Sequence, residues 1–281
     1  YQTRRDLLHE DPAVLSDLKN RIAEAGWGRA FLKRQQPDGH WGRAFYQPKW
    51  TSSHYTLVDL RNLCIPATLE IKKALALILA TSIGPDGGIN PSKDIEQSDV
   101  CINGMFLNYG CYFGTDEEKL RSVVDFIVSQ QLADGGFNCR LNRSGARHSS
   151  MHSTISVLEG IREYIAAGYA FRAEELNRIE GEAQEFLLRH RLFKSDHTGA
   201  VIHPSFLKLV YPPRWRYDIL RALDYFQSVG YPYDERLQDA LDILKEKRLS
   251  DGRWKTQAHH PGEVHFQMEQ AGKPSRWNTL R

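Results

Sequence analysis

The chain has 281 residues, enough for one large domain or two ordinary ones. Apolar residues make up 41% and charged residues 26%, and 37 basic against 35 acidic side chains leave a net charge of +2. This balance makes no electrostatic case for nucleic acid or an anionic membrane surface, and no apolar run is long enough to span a bilayer. The four cysteines, Cys64, Cys101, Cys111 and Cys139, form no C-x-x-C pair. A domain of this size needs no disulfide staples, so reduced thiols and a cytoplasmic location are expected. The sequence opens on Tyr1 rather than Met, which leaves a trimmed targeting segment an open alternative.

In chain order, Pro12 to Gln36 reads as helix, with Val14, Leu18, Ile22 and Ala25 on one face and Gly26-Trp27-Gly28 as a bend or break. His54 to Cys64 follows, capped by Ser52 or Ser53 and stopped by Pro66. Leu69 to Ile83 and Asp99 to Phe113 come next, the second apolar almost all round and so buried on most sides. Thr115-Asp116-Glu117-Glu118 caps a helix running to Gln131. Further helices are expected over Ser149 to Ala167, Ala173 to His190, Trp215 to Val229 and Asp234 to Lys247, and another opens at Pro274. No segment of length alternates like a half-buried strand, so the class is all-α.

Between these helices one phrase recurs. Gln35-Gln36-Pro37-Asp38-Gly39-His40-Trp41, Gly84-Pro85-Asp86-Gly87-Gly88-Ile89, Gln130-Gln131-Leu132-Ala133-Asp134-Gly135-Gly136-Phe137 and Leu249-Ser250-Asp251-Gly252-Arg253-Trp254 are copies, with a worn one around Asp196. The turn aspartates at 38, 86, 134, 196 and 251 are spaced by 48, 48, 62 and 55 residues. Such a period implies one supersecondary unit per repeat across a single domain, 1–281. Helices before each turn are amphipathic, and those after it are richer in apolar and aromatic residues. Two concentric layers would produce this pattern: an α/α toroid (barrel) of about five helix-pair repeats, with an open α-solenoid as the alternative.

The phrases Gln-Gln-x-x-Asp-Gly-Gly-Phe and Gln-Gln-x-Asp-Gly-x-Trp resemble the repeats of the prenyltransferase and squalene/terpene cyclase superfamily. The resemblance covers roughly residues 20 to 281 and implies an α/α toroid with a hydrophobic central cavity. The cyclase branch uses an Asp-x-Asp-Asp acid, and no such run is present. The nearest acidic clusters, Asp116-Glu117-Glu118 and Asp234-Glu235, read as helix-capping residues. The protein prenyltransferase branch holds zinc with an Asp-x-Cys at one inner-helix start and a His on the next. Ser98-Asp99-Val100-Cys101 and the stretch from Met151-His152-Ser153 to Gly160 are similar, so the resemblance implies zinc on Asp99, Cys101 and His152. A carboxylate, a thiolate and an imidazole leave zinc a fourth, open position. An Asp at the N-cap, outside helical geometry, could converge with a Cys two residues on, and the helix start favours thiolate. No catalytic residue is assigned beyond these ligands.

The same resemblance implies an isoprenoid-type substrate. Lys93 matches a diphosphate-holding base, while Glu96 stands where a second is expected. Arg147, with Arg140, Arg143 and His148, forms a basic loop that could serve an anion. Tyr55, Phe106, Tyr109 and Tyr217, with Tyr112, Tyr225 and Phe226, are candidate cavity rings, suited to a carbocation or to plain core packing. His54 reads as structural or cavity-lining. Arg216 and Arg276, each beside an aromatic ring at an inner-helix start, read as inter-repeat ion pairs or as residues of the cavity mouth. Enzymes of that branch work with a second helical subunit. The alternatives are a non-catalytic lipid- or protein-binding toroid and a terpene-cyclase-like enzyme lacking the Asp-x-Asp-Asp acid.

Overall fold

The repeats become visible first in their turns. In the computed structural model, which describes residues 1–92, 95–139, 144–257 and 260–281, four of the five Asp-Gly turns close in the same way. In the third, the Leu132 N–H donates to the Gly136 carbonyl and the Gly135 N–H to the Leu132 carbonyl, each at 2.9 Å. Gln36/His40, Gly84/Gly88 and Leu249/Arg253 repeat both bonds, and the copy at Asp196 closes instead through Ser195, Gly199 and Ala200. Gly135 sits at φ +94, a conformation that L side chains avoid. Gly136 is required for a different reason: a Cβ there would lie 2.7 Å from Ser149 and Thr154.

The turns punctuate twelve α-helices among the described residues: α1 Gln2–Asp6, α2 Pro12–Glu24, α3 Gly26–Leu32, α4 Ser53–Asn62, α5 Leu69–Thr81, α6 Val100–Tyr112, α7 Glu117–Ser129, α8 Met151–Ala166, α9 Ala173–Arg189, α10 Ile219–Ser228, α11 Gln238–Lys247 and α12 Arg276–Leu280. The chain is therefore mostly helical, as its patterning predicts. Three short 3-10 turns and one small antiparallel pair, β1 Trp254–Lys255 with β2 Pro274–Ser275, complete it. No helix among the described residues is long and apolar enough to cross a membrane.

After four turns, the amide of the next bulky residue is caught by a side chain of a following helix. Trp41, Ile89, Phe137 and Trp254 donate to Ser53 Oγ (3.0 Å), Asn103 Oδ1 (2.6 Å), Thr154 Oγ1 (3.0 Å) and Thr279 Oγ1 (3.1 Å). Two of the rings also reach backwards: the indole N–H of Trp41 donates to Phe31 O and that of Trp254 to Leu244 O. The repeats of Trp41 and Trp254 are thus clasped between the helix before the turn and the helix after it.

The helices that follow the turns run side by side in the same direction. Cys101 and Ser153, at the starts of α6 and α8, both meet Cys139, while Asn108 further along α6 donates to Glu159 O of α8. At the far ends, Arg61 of α4 pairs with Glu163 of α8 and lies over the Tyr112 ring of α6. His152 and Arg162 of α8 likewise meet Tyr217 and Ser228, before and at the end of α10. The α6–α8 contact is the closest. A Cβ on Gly104 would lie 2.5 Å from Ser156 O, and one on Gly160 would lie 2.4 Å from Gly104 O, so the two backbones touch through glycine. Burial follows the two predicted helix kinds: α4, α6 and α8 are buried over most of their length, whereas α2 buries no residue and α11 only Ala240. The last helix returns to the first repeat, where Trp277 stacks on Trp27 at 6.0 Å.

The break expected at Gly26-Trp27-Gly28 is present: Ala25 is extended and Gly26 has φ +59, so the first predicted helix is split into α2 and α3. Two boundaries differ from the sequence reading. Arg214 is left-handed, and Asp218 caps α10 by accepting the Arg221 N–H at 2.9 Å, so that helix begins at Ile219 rather than Trp215. Pro274 and Ser275 are strand, and only Arg276 onward is helical.

Candidate functional site

The starts of α4, α6 and α8 gather chemically active side chains. Asp99 occupies the N-cap position of α6 with extended backbone, as the sequence predicts, and is buried; its carboxylate makes no capping bond to the helix. Cys101 follows on the first turn. Its N–H donates to Cys139 Sγ at 3.2 Å, and Ser153 Oγ of α8 donates to the same sulfur at 3.3 Å. The hydrogen bond between the two thiols, followed by the Ser153 hydroxyl, holds the Cys139 thiol below its ordinary range. The same thiol–thiol bond, together with burial, pushes Cys101 well up. Cys139 is therefore the more acidic thiol of the pair, and Cys101 is its donor.

His152, the second residue of α8, faces the next repeat. Its Nδ1 accepts the Tyr217 N–H at 2.8 Å, and its ring meets Phe206 and Trp215 edge-on at 5.3 and 5.0 Å. Burial, helped by Arg221 and Arg216, lowers its pKa to about 4, so the ring is neutral near pH 7. With Nδ1 accepting, the proton of a neutral ring lies on Nε2. A metal-bound histidine normally shows the reverse, coordinating through a free lone pair while its other nitrogen donates. Among the described residues no three His, Cys, Asp or Glu side chains are grouped to hold a metal ion.

Around the thiol pair stands an aromatic wall with two cations. Tyr46 and Tyr55 share a hydroxyl–hydroxyl bond at 3.0 Å, and Tyr55 packs edge-on to Trp50. Lys49 Nζ lies 4.9 Å from the Trp50 ring centre and 5.1 Å from that of Trp215. Burial lowers the Lys49 pKa, and the neighbouring Arg216 charge adds to this while Cys101 and Asp99 oppose it. Arg216 lies over Trp215, with its Nε buried and without a hydrogen-bond partner among the described residues. Among the described residues neither cation is in an ion pair. His54, buried at the start of α4, bonds Tyr109 OH through Nδ1 at 3.2 Å, and its Nε2 has no partner among the described residues.

The other predicted site residues fall in different places. Tyr55, Phe106, Tyr109 and Tyr217 are all buried. Phe106 and Tyr109 pack against each other edge-on at 5.3 Å, and the Tyr217 hydroxyl is tied to Leu192 O. Arg147 is exposed. Lys93, Arg140 and Arg143 lie outside the described residues. For Arg216 and Arg276 the sequence leaves inter-repeat ion pairs or the cavity mouth; both guanidiniums lie over tryptophan rings, Arg276 at 5.0 Å from Trp27. Arg221 makes the inter-repeat pair instead, with its Nε 2.7 Å from Glu159 of α8. Glu117 accepts two backbone N–H groups and the Tyr164 hydroxyl, and Asp234 accepts the Arg236 N–H, so each works as a structural acceptor.

Sequence reasoning missed Cys139, Lys49 and Tyr46. The signal for Cys139 was its place three residues after the Gly135-Gly136 pair, where the clasped turn delivers it to the starts of both α6 and α8. The chain matches no family model and no curated protein sequence.

Proposed function

We propose that the chain is a closed α/α toroid of the prenyltransferase and terpene cyclase type that binds an isoprenoid-type ligand, with its polar end at the rim where α4, α6 and α8 begin. The observation that carries this reading is a pair of cations that have no carboxylate partner among the described residues, Lys49 and Arg216, set among Trp50, Trp215, Tyr46 and the Cys101–Cys139 thiols. Two cations suit a diphosphate, and the rings suit an unsaturated chain. Ring closure is supported by the Trp27–Trp277 stack between the first and last repeats. Zinc on Asp99, Cys101 and His152 belongs to the proposal as its metal half. It requires His152 to release the Tyr217 N–H, and it would supply Lewis-acid and thiolate-activating chemistry.

The test is calorimetric binding of farnesyl diphosphate and farnesol, with metal content measured by mass spectrometry on the same samples. The diphosphate is expected to bind, and Lys49→Ala or Arg216→Ala to weaken it about tenfold, near 1.4 kcal/mol, with farnesol unchanged. Absence of binding by both compounds overturns the ligand reading. Zinc-free protein after growth with zinc overturns the metal half and favours the non-catalytic binding toroid.

A further inference from the structure

A cavity of about 300 Å³ opens between α4 and the segment 260–268, on the far side of Trp50. Two charged side chains reach its wall from opposite directions: Asp59, 2% exposed, from α4, and Arg214, 6% exposed, from the left-handed position before α10. They do not satisfy each other. Their closest approach, Arg214 Nη2 to Asp59 Oδ2, is 3.9 Å, beyond a hydrogen bond. Among the described residues, Asp59 Oδ1 and Arg214 Nε are both buried and without a hydrogen-bond partner. Buried polar atoms are almost always bonded, so an unbonded acceptor and an unbonded donor in one cavity wall mark a place for a third party.

The cavity states what that party looks like. Asp59 supplies an acceptor and Arg214 a donor, so the ligand presents a donor and an acceptor close together. The two charges cancel, and the histidines of the wall, His260 and His265, are neutral because burial lowers both to about 4. A net charge on the ligand would have no counterpart. Phe31, Trp50, Tyr211 and Phe266 supply flat apolar faces, and the Arg214 guanidinium is held 4.5 Å over the Trp50 ring. The segment 260–268 is itself pinned to α4 and its approach, Trp50 Nε1 donating to Pro261 O at 2.6 Å and His265 Nε2 bonding Thr56 Oγ1 at 2.9 Å, so the wall is built rather than incidental.

We propose that this cavity is a binding site for a small uncharged ring compound with adjacent hydrogen-bond donor and acceptor, of the lactam type, gripped between Asp59 and Arg214. The site shares the Trp50 ring with the Lys49–Arg216 rim but does not depend on the isoprenoid reading.

The probe is 2-pyridone, a lactam, against its O-methyl ether, which lacks the donor, each titrated calorimetrically into the full chain. 2-Pyridone is expected to bind at millimolar or lower concentration, and the ether about tenfold more weakly. Asp59→Asn is expected to weaken 2-pyridone by a similar factor. Val264→Trp, which fills the cavity from its solvent edge and leaves both charges in place, is expected to abolish binding while circular dichroism stays unchanged. Equal binding of pyridone and ether, no binding of pyridone at millimolar concentration, or binding untouched by Val264→Trp overturns the proposal. So does a crystal structure soaked in 2-pyridone that shows only ordered waters between Asp59 Oδ1 and Arg214 Nε.

Discussion

At the residue scale, the thiol pair carries the sharpest consequence. Cys139 receives the Cys101 thiol, the Ser153 hydroxyl and the Cys101 N–H on one sulfur, at the start of a helix whose dipole favours negative charge. Cys101, as the donor, and Cys111, whose thiol burial pushes up, are both held protonated. Iodoacetamide at neutral pH is therefore expected to label Cys139 before Cys101 and Cys111. Ser153→Ala should slow that labelling severalfold, as followed by peptide mass spectrometry. Labelling of Cys101 first would reverse the assignment of donor and acceptor. The sequence brought Asp99 and Cys101 to attention because they are two residues apart. Cys139 is far from both along the chain, and only the clasped turn places it there.

At the element scale, the α6–α8 contact is set by two glycines that no local rule requires. Neither has a positive φ, and in a helix each costs about 1 kcal/mol relative to alanine. They are tolerated because a Cβ would push the paired backbones apart. Gly160→Ala is expected to destabilise by about 1–3 kcal/mol, the usual cost of overpacking. Gly181 in α9 is the control, since nothing lies within 4 Å of its Cβ position. Gly181→Ala should stabilise by about 0.5–1 kcal/mol. Denaturant midpoints of the two variants moving in the same direction would rule out the close crossing. Most helix positions were legible from apolar periodicity and from the turns. The misplaced start of α10 was not, because it depends on a left-handed arginine and a capping aspartate whose neighbours come from other repeats.

At the scale of the whole molecule, burial of histidine sets the response to acid. His54 is lowered to about 3, and His152, His260 and His265 to about 4, in each case chiefly by burial. Unfolded histidine titrates near 6.5. Between these values the unfolded chain binds more protons than the folded one, so stability rises with pH across roughly 4 to 6.5 and is lost as pH falls through that window. Asp59, raised by burial to about 6, acts in the opposite sense, since its folded form keeps a proton that the unfolded chain has released. Burial also raises Asp218 and Glu180, which act like Asp59, and the four histidines outweigh these three carboxylates. The thermal midpoint is expected to drop steadily from pH 6.5 to pH 4, and His54→Gln should flatten the slope. A midpoint independent of pH over this range would mean that these rings are accessible to protons in the folded state.

The sequence by itself determined the helical class, the repeat period, the two kinds of helix and the form of the turns. These rest on local physics: apolar spacing, Asp-Gly chemistry and the bulky ring after each turn act within a few residues of one another. Tertiary structure alone decided which side chains share a site. His152 lies near Asp99 and Cys101 in the repeat scheme, yet its nitrogen is taken by a backbone N–H from the next repeat. Lys49 and Arg216 meet over the Trp215 ring, and Asp59 and Arg214 face each other across a cavity, although the partners in each pair come from different units. Packing between repeats sets those distances. No spacing along the chain encodes them, because the contacts depend on how far one helix is rotated and shifted against the next.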